Sequence, residues 1–267
     1  MPDSAEIIAS LRQRIAAVER VRAVAVPCLV ATGHAGIDAA LGGGLARAGL
    51  HEVFGQAQDD SNALGGCAGG FAAMLASRIA GAEPTPATIF WLREASAERR
   101  GGCLHAPGLA ELGLDPGRVV LGVLDDPASL LKVANDVVRC PDVAVAVIEL
   151  WREPRVLDLT ASRRLAVAAE ASGVTVLMLR AEAEPSPSAA HTRWSVAAAR
   201  AAPLDADAPG HPTLDITLLR QRGGRADLGW RVEWDRDAKI FRDAALSGAL
   251  LAPSGGGPLA PHERRSG

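Results

Sequence analysis

Val143-Ala144-Val145-Ala146-Val147-Ile148 is an unbroken apolar run that closes on Glu149. No polar residue alternates within it, so neither face of a strand built from it can meet water. Such a run belongs in the middle of a parallel sheet covered on both sides. Thr88 to Leu92, Val119 to Val123 and Val174 to Leu179 have the same character. The segments between them read as helices. Asp126-Pro127 supplies an N-cap and a first-turn proline, and Leu130, Leu131, Ala134, Val137 and Val138 follow as a core face. Thr160 to Ser172 is a helix stopped by Gly173. Strand and helix in alternation predict a mostly parallel central sheet with helices on both faces, an α/β fold.

The pattern changes after a Pro/Ser-rich loop at residues 182–189. Arg193 to Ala197, Thr213 to Gln221 and Gly229 to Trp234 read as strands joined by turns, an antiparallel extension on the C-terminal side. Residues 27–245 form the expected domain. Residues 1–26 lead it with an amphipathic helix carrying Ile7, Ile8, Leu11, Ile15 and Val18. Residues 246–267 are rich in Gly, Pro and Ser and are expected to be a disordered tail.

At the front of the domain, a turn-rich stretch from Thr32 to Asp38 runs into Gly42-Gly43-Gly44. Gly49 and a short strand, His51 to Phe54, come next, and the strand stops on Gly55. A polar loop and a helix from Phe71 to Ala80 follow. Strand, glycine, loop, helix is the layout of a phosphate-binding loop. The chemistry is missing. Counted from Gly55, the pattern G-x-x-x-x-G-K-[ST] ends on glycine, lysine and a hydroxyl residue, where this chain has Asp60, Ser61 and Asn62. Asp59 adds a second acid, and the only lysines are Lys132 and Lys239. The acids themselves can sit at the helix N-terminus, where the dipole favours negative charge.

The stretch from Thr32 to Gly55 resembles the RecA-like ATPase core. Thr32-Gly33, Ile37-Asp38, Ala40-Leu41-Gly42, Gly44-Leu45, Gly49 and Glu52-Val53-Phe54-Gly55 carry the resemblance, which runs on to about Trp234. The missing lysine and the later segment Leu218-Leu219-Arg220-Gln221-Arg222-Gly223-Gly224 point within that superfamily to the ImuA family, accessory proteins of bacterial damage-induced translesion synthesis. That resemblance implies a cytoplasmic, non-catalytic adaptor without cofactor. Its implied partners are the polymerase homologue ImuB, a C-family polymerase, RecA and single-stranded DNA. By the resemblance to the RecA-like core, Glu94 falls where a working ATPase of that superfamily activates water, and Glu149 where it helps hold Mg²⁺ through water; the plainer reading of Arg93 and Glu94 is a pair of solvated strand-end charges. Two other readings stay open: a divergent nucleotide switch or weak ATPase, and a SulA-like division inhibitor.

Arg220, Arg222 and Arg225 surround a glycine turn, and Trp230 and Trp234 follow on the returning strand. Arginine beside aromatic rings suits phosphate and single-stranded nucleic acid. The alternative is a basic hairpin with core tryptophans and Arg231 paired to Glu233. Net charge is −3, so no global basic field advertises nucleic acid. The four cysteines are scattered and no His pair has ligand spacing, which argues against a zinc site. No G-x-S-x-G occurs, and the Gly42-Gly43-Gly44 run precedes its strand, so neither a hydrolase elbow nor a dinucleotide fingerprint is present. The acids near the N-terminus do not suggest a secretory leader.

Overall fold

The computed structural model describes residues 28–56, 66–83 and 87–244. The leading helix expected within 1–26, loop residues Asp59, Asp60, Ser61 and Asn62, and the tail 246–267 lie outside the described residues.

A two-stranded ribbon pairs β1 (Leu29–Val30) with β2 (Leu45–Ala46), and helix α1 (Ala35–Leu41) lies between them in sequence. Next come β3 (Leu50–Gly55), α2 (Gly66–Gly81), β4 (Thr88–Glu94), α3 (Ala95–Gly101) and α4 (Ala106–Glu111). The chain continues with β5 (Val119–Leu124), α5 (Pro127–Val138), β6 (Val143–Trp151), α6 (Leu159–Ser172) and β7 (Thr175–Ala181). It ends with β8 (Thr192–Ala198), β9 (Thr213–Gln221), β10 (Leu228–Asp235) and β11 (Ile240–Asp243).

Among the described residues nine strands form one sheet in the order β11-β10-β9-β8-β3-β7-β6-β4-β5. From β8 to β5 all pairs are parallel, and β9, β10 and β11 are antiparallel. The predicted α/β class and antiparallel extension are both present. Two details differ from expectation. β8 pairs in parallel with β3, so the extension starts one strand later. A strand not anticipated, β11, closes it, so the extension consists of β9, β10 and β11.

The sheet separates two cores. Val145, Val147, Leu177 and Leu179 face α2, while Ala146, Ile148, Val176 and Met178 face α5 and α6. This period-2 division of wholly apolar strands is what their sequences demand. On the α2 side, Phe71, Trp194, Trp230, Trp234 and Phe241 make a chain of tilted rings with centroids 4.8–6.4 Å apart. Rings at such distances add about 0.5–1.5 kcal/mol per pair beyond the area they bury.

The Thr32–Asp38 stretch is not mainly turn. Asp38 lies in α1 and its carboxylate accepts from the Thr32 amide (2.7 Å), the Thr32 hydroxyl (2.7 Å) and the Gly33 amide (3.2 Å). His34 caps α1, its Nδ1 accepting from the Ile37 amide at 3.2 Å, and its Nε2 donates to Asp243 of β11 at 2.9 Å. Gly33, at φ 92, packs beneath Ile240, and the Phe241 amide donates to Thr32 O. Motif residues at the front of the domain therefore hold its last strand. Among the described residues no helix is long and apolar enough to cross a membrane.

Candidate functional site

A pocket of about 290 Å³ opens beside the N-terminal turns of α2, over the C-terminal ends of β4 and β6. In open α/β sheets this is where ligands bind. Gly66, Gly69 and Gly70 line it from α2, and a Cβ at any of them would meet no neighbouring atom within 4 Å. These glycines keep the helix face low and leave the space free. Trp91, Arg93, Glu149 and Trp151 form the floor.

Trp91 and Arg93 alternate with Leu92 and Glu94 along β4, so Arg93 points toward the α2 side and Glu94 to the other. Arg93 is buried, with 4% of the residue exposed. It grips Glu149 with both arms: Nε to Oε2 at 2.8 Å and Nη2 to Oε1 at 3.0 Å. Its remaining Nη1 donates to Gly102 O at 2.8 Å. The Trp91 indole donates to Glu149 Oε2 at 3.1 Å. Both carboxylate oxygens are thus engaged by protein donors. A two-armed guanidinium–carboxylate contact is the strong form of such a pair.

Glu94 does not line this pocket. It is buried, accepts from the Ser96 hydroxyl and from the Trp151 amide (3.3 Å), and ends β4 as α3 begins. The expectation that Arg93 and Glu94 are solvated charges is wrong for both. Arg93 is buried because Glu149, 56 positions away, arrives on the adjacent parallel strand in register with it. Among the described residues, no group of three or more His, Cys, Asp or Glu side chains is arranged to hold a metal. Gly55 ends β3 as expected, and the Gln56 amide then donates to Val196 O at 2.9 Å. Cys103 lies on the rim, where its hydrogen bond to Glu98 raises its pKa and disfavours the thiolate.

Replacing Arg93 with Met strands the Glu149 carboxylate. Because the pocket admits water, the expected loss is about 2–3 kcal/mol, below that of a sealed pair. Arg93→Met/Glu149→Leu together are expected to recover most of it. Urea unfolding of both variants provides the measurement; equal stability of the single variant and the parent would mean that the pair contributes nothing.

The arginine hairpin is more occupied than its sequence implies. Arg222 donates to Ala189 O at 2.7 Å and to Glu170 of α6 at 3.3 Å, and Arg220 reaches Ser188 O at 3.5 Å. Both therefore lean toward the 188–189 loop. Arg225 is exposed in the turn with no side-chain partner among the described residues. Trp230 is half-buried against Trp194, and Trp234 is buried with its indole donating to Leu112 O at 3.1 Å. Arg231 pairs in two-armed fashion with Asp215 across the strands, at 2.7 and 2.8 Å, rather than with Glu233, which lies 3.5 Å from Arg242.

Sequence reading missed a third charged cluster, on the α6 side of the sheet. Glu52, fully buried in β3, accepts from Arg193 Nε at 2.9 Å and from the Ser188 hydroxyl at 2.8 Å, and Arg180 Nη1 stands 3.7 Å away. Arg180 also lies over the Phe54 ring, 5.6 Å from its centroid. Burial pushes its pKa down against the pull of Glu52. The available signal was the presence of single charges in strands otherwise apolar.

A mostly parallel sheet with an antiparallel border, and a glycine-led helix following its central strand, defines an α/β protein of RecA-like fold. A solved structure of the RadB recombinase matches it with a TM-score of 0.51, covering 81% of this chain and 100% of that one at 14% identity, a likeness of fold alone. No family model matches the chain. Protein ImuA of Caulobacter vibrioides, in two strains, is 32% identical to it over 209 residues, spanning 71% of this chain and 76% of the relative. The chain belongs to the ImuA family.

Proposed function

We propose that this chain is a non-catalytic adaptor in damage-induced, error-prone translesion DNA synthesis, acting with an ImuB-type polymerase homologue and a C-family polymerase. Family membership supports the process. The observation that supports the absence of catalysis is the state of Glu149. A magnesium-holding acid needs lone pairs facing the metal shell, and here Arg93 and Trp91 fill both acceptor positions of Oε2 and one of Oε1. Neither lysine of the chain lines the pocket beside α2, so no ammonium group is at hand for a β- or γ-phosphate. RecA and single-stranded DNA remain candidate partners, with Arg225 the freest hairpin arginine to meet them.

A weak ATPase that uses arginine in place of the lysine is the competing reading, and Arg93 in the pocket is the residue that favours it. Calorimetric titration of the full-length protein with Mg-ATP separates the two. The expected result is no binding in the range of about 1–10 μM, the affinity of an ordinary nucleotide site, which corresponds to roughly −7 to −8 kcal/mol. Tight, saturable binding would favour the ATPase. Co-purification of ImuB from damaged cells tests the partner independently, and its absence would sink the adaptor role whatever the calorimetry gives.

A further inference from the structure

Helix α6 turns an unusual face outward. Thr160, Arg163, Arg164, Val167 and Ala171 recur at the three-to-four-residue spacing of a single stripe. Val167 is 52% exposed, Leu159 at the head of the helix 54%, and Val156 just before it 46%. Arg139, at the C-cap of α5, closes a hollow of about 570 Å³ along this stripe. A second hollow of about 360 Å³ lies between α5 and α6, walled by Leu131, Lys132 and Val156. Arg164 borders both.

Four cations therefore surround exposed aliphatic side chains. None of Lys132, Arg139, Arg163 and Arg164 has a side-chain hydrogen bond or ion pair among the described residues. Of the acids on these two helices, Glu170 is taken by Arg222, and Asp136 lies one turn from Lys132 and Arg139 without an ion pair to either among the described residues, which leaves Arg163 and Arg164 as the cations with no acid beside them on their own stripe. This is a basic face on a chain whose net charge is −3.

We propose that the α5–α6 face is a docking groove for an acidic segment of a partner protein, one whose apolar side chains recur at helical spacing. Amphipathic helices seat this way, with apolar anchors in the groove and charges on its rim. The occupant comes from another molecule. The outer segments of this chain have the wrong charge: residues 1–27 hold Asp3, Glu6 and Glu19 against Arg12, Arg14, Arg20 and Arg22, and residues 245–267 hold Glu263 against Arg264 and Arg265. Asp59 and Asp60 are tethered between Gln56 and Gly66, before the helix on the opposite face of the sheet. Val156, Leu159 and Val167 favour a peptide over nucleic acid, since phosphate gains nothing from aliphatic anchors and the stripe offers no aromatic ring for a base to stack on. The groove is separate from the pocket beside α2, and the proposal stands whether or not that pocket binds nucleotide.

The test uses full-length protein and three fluorescent probes. One is a synthetic helical peptide with leucines at i, i+3 and i+7 and glutamates elsewhere. The second carries lysine in place of every glutamate, and the third is a single-stranded oligonucleotide. Anisotropy titrations are run on the parent protein, on Arg163→Glu/Arg164→Glu and on Val167→Asp, with melting temperatures as a fold control. The acidic peptide is expected to bind and the basic one not, and each variant to weaken the acidic peptide by at least about tenfold. Equal binding of the two peptides, or unchanged affinity in both variants, overturns the proposal. So does oligonucleotide binding that Arg163→Glu/Arg164→Glu abolishes while acidic-peptide binding stays intact, which would make this a nucleic-acid face.

Discussion

Glu52→Leu is expected to destabilise the protein by about 3–5 kcal/mol, the cost of leaving buried charge without its counter-ion. Glu52 is the anion in contact with two guanidiniums, Arg180 and Arg193, with Glu153 acting on Arg180 more weakly, and none of the three clustered side chains is more than a tenth exposed. Losing it leaves two like charges in a sealed space between the sheet and α6. That loss would be a large fraction of the roughly 5–15 kcal/mol that holds a domain together. The loop at 182–189 should loosen as well, because Arg193 binds Ser188 Oγ at 2.9 Å while Ser188 in turn donates to Glu52. Chemical denaturation provides the number. The combined change Glu52→Leu/Arg180→Met/Arg193→Met should regain much of the loss, since apolar replacements for a whole buried ion cluster are often neutral or better. A Glu52→Leu protein as stable as the parent would show that this cluster is not sealed.

Stability is also expected to fall as the solution is acidified from neutrality, with one histidine responsible for a definite share. His51 is fully buried, and burial lowers its pKa from 6.5 to about 3. Its ring completes a chain of neutral hydrogen bonds. The Trp194 indole donates to the Thr192 hydroxyl at 2.8 Å, that hydroxyl meets His51 Nδ1 at 2.7 Å, and Nε2 meets Ala46 O at 2.8 Å. With Ala46 O able only to accept, Nε2 must hold the proton and Nδ1 must be bare. The unfolded chain takes up a second ring proton below pH 6.5 and the folded chain only near pH 3. The unfolded state therefore binds more protons throughout that window. The contribution is complete above pH 6.5 and is lost as pH falls toward 3, at up to about 1.4 kcal/mol per pH unit. His191, half-buried beside it and lowered by burial and then by Arg222, adds a change of the same sign. Unfolding free energies at pH 7, 6 and 5 for the parent and for His51→Asn test this: the variant should show the shallower slope. Parallel slopes would mean that His51 is protonated in the fold or open to water.

The centre of the sheet was legible because β6 and β7 are apolar on both faces, and only a doubly covered parallel strand tolerates that. α5 was legible from Asp126 and Pro127, local signals that act over three residues. The misreadings share a cause. Arg93 and Glu149 are separated by 56 positions, and Glu52 and Arg193 by 141. A charge in a strand looks solvated until the strand beside it is known. β8 was assigned to the antiparallel border because a loop rather than a helix precedes it, but its direction is fixed by pairing with β3. β11 is only four residues long, and its anchor, Phe241, shows its value once it lies against Phe71 and Trp234. The start of α1 inside Thr32–Asp38 was hidden by a histidine serving as its N-cap, a role the usual Ser, Thr, Asp and Asn signals do not announce. Gly55 and Glu94 end their strands as anticipated, whereas β6 runs two residues past Glu149 to Trp151, and the partners that decide the chemistry of the two acids come from other strands and turns.

The attachment of β11 to the first motif has a consequence for synthesis on the ribosome. Asp243 reaches His34, the Phe241 amide reaches Thr32 O, and Arg78 of α2 holds Ala31 O and Lys239 O together. The front of the domain emerges more than 200 residues before the strand that fastens it. Until residue 243 has cleared the exit tunnel, Gly33 lacks its cover and α1 lacks the contact that anchors its cap. The nascent chain must therefore carry its opening motif unfastened while the more than 200 residues between His34 and Asp243 are made.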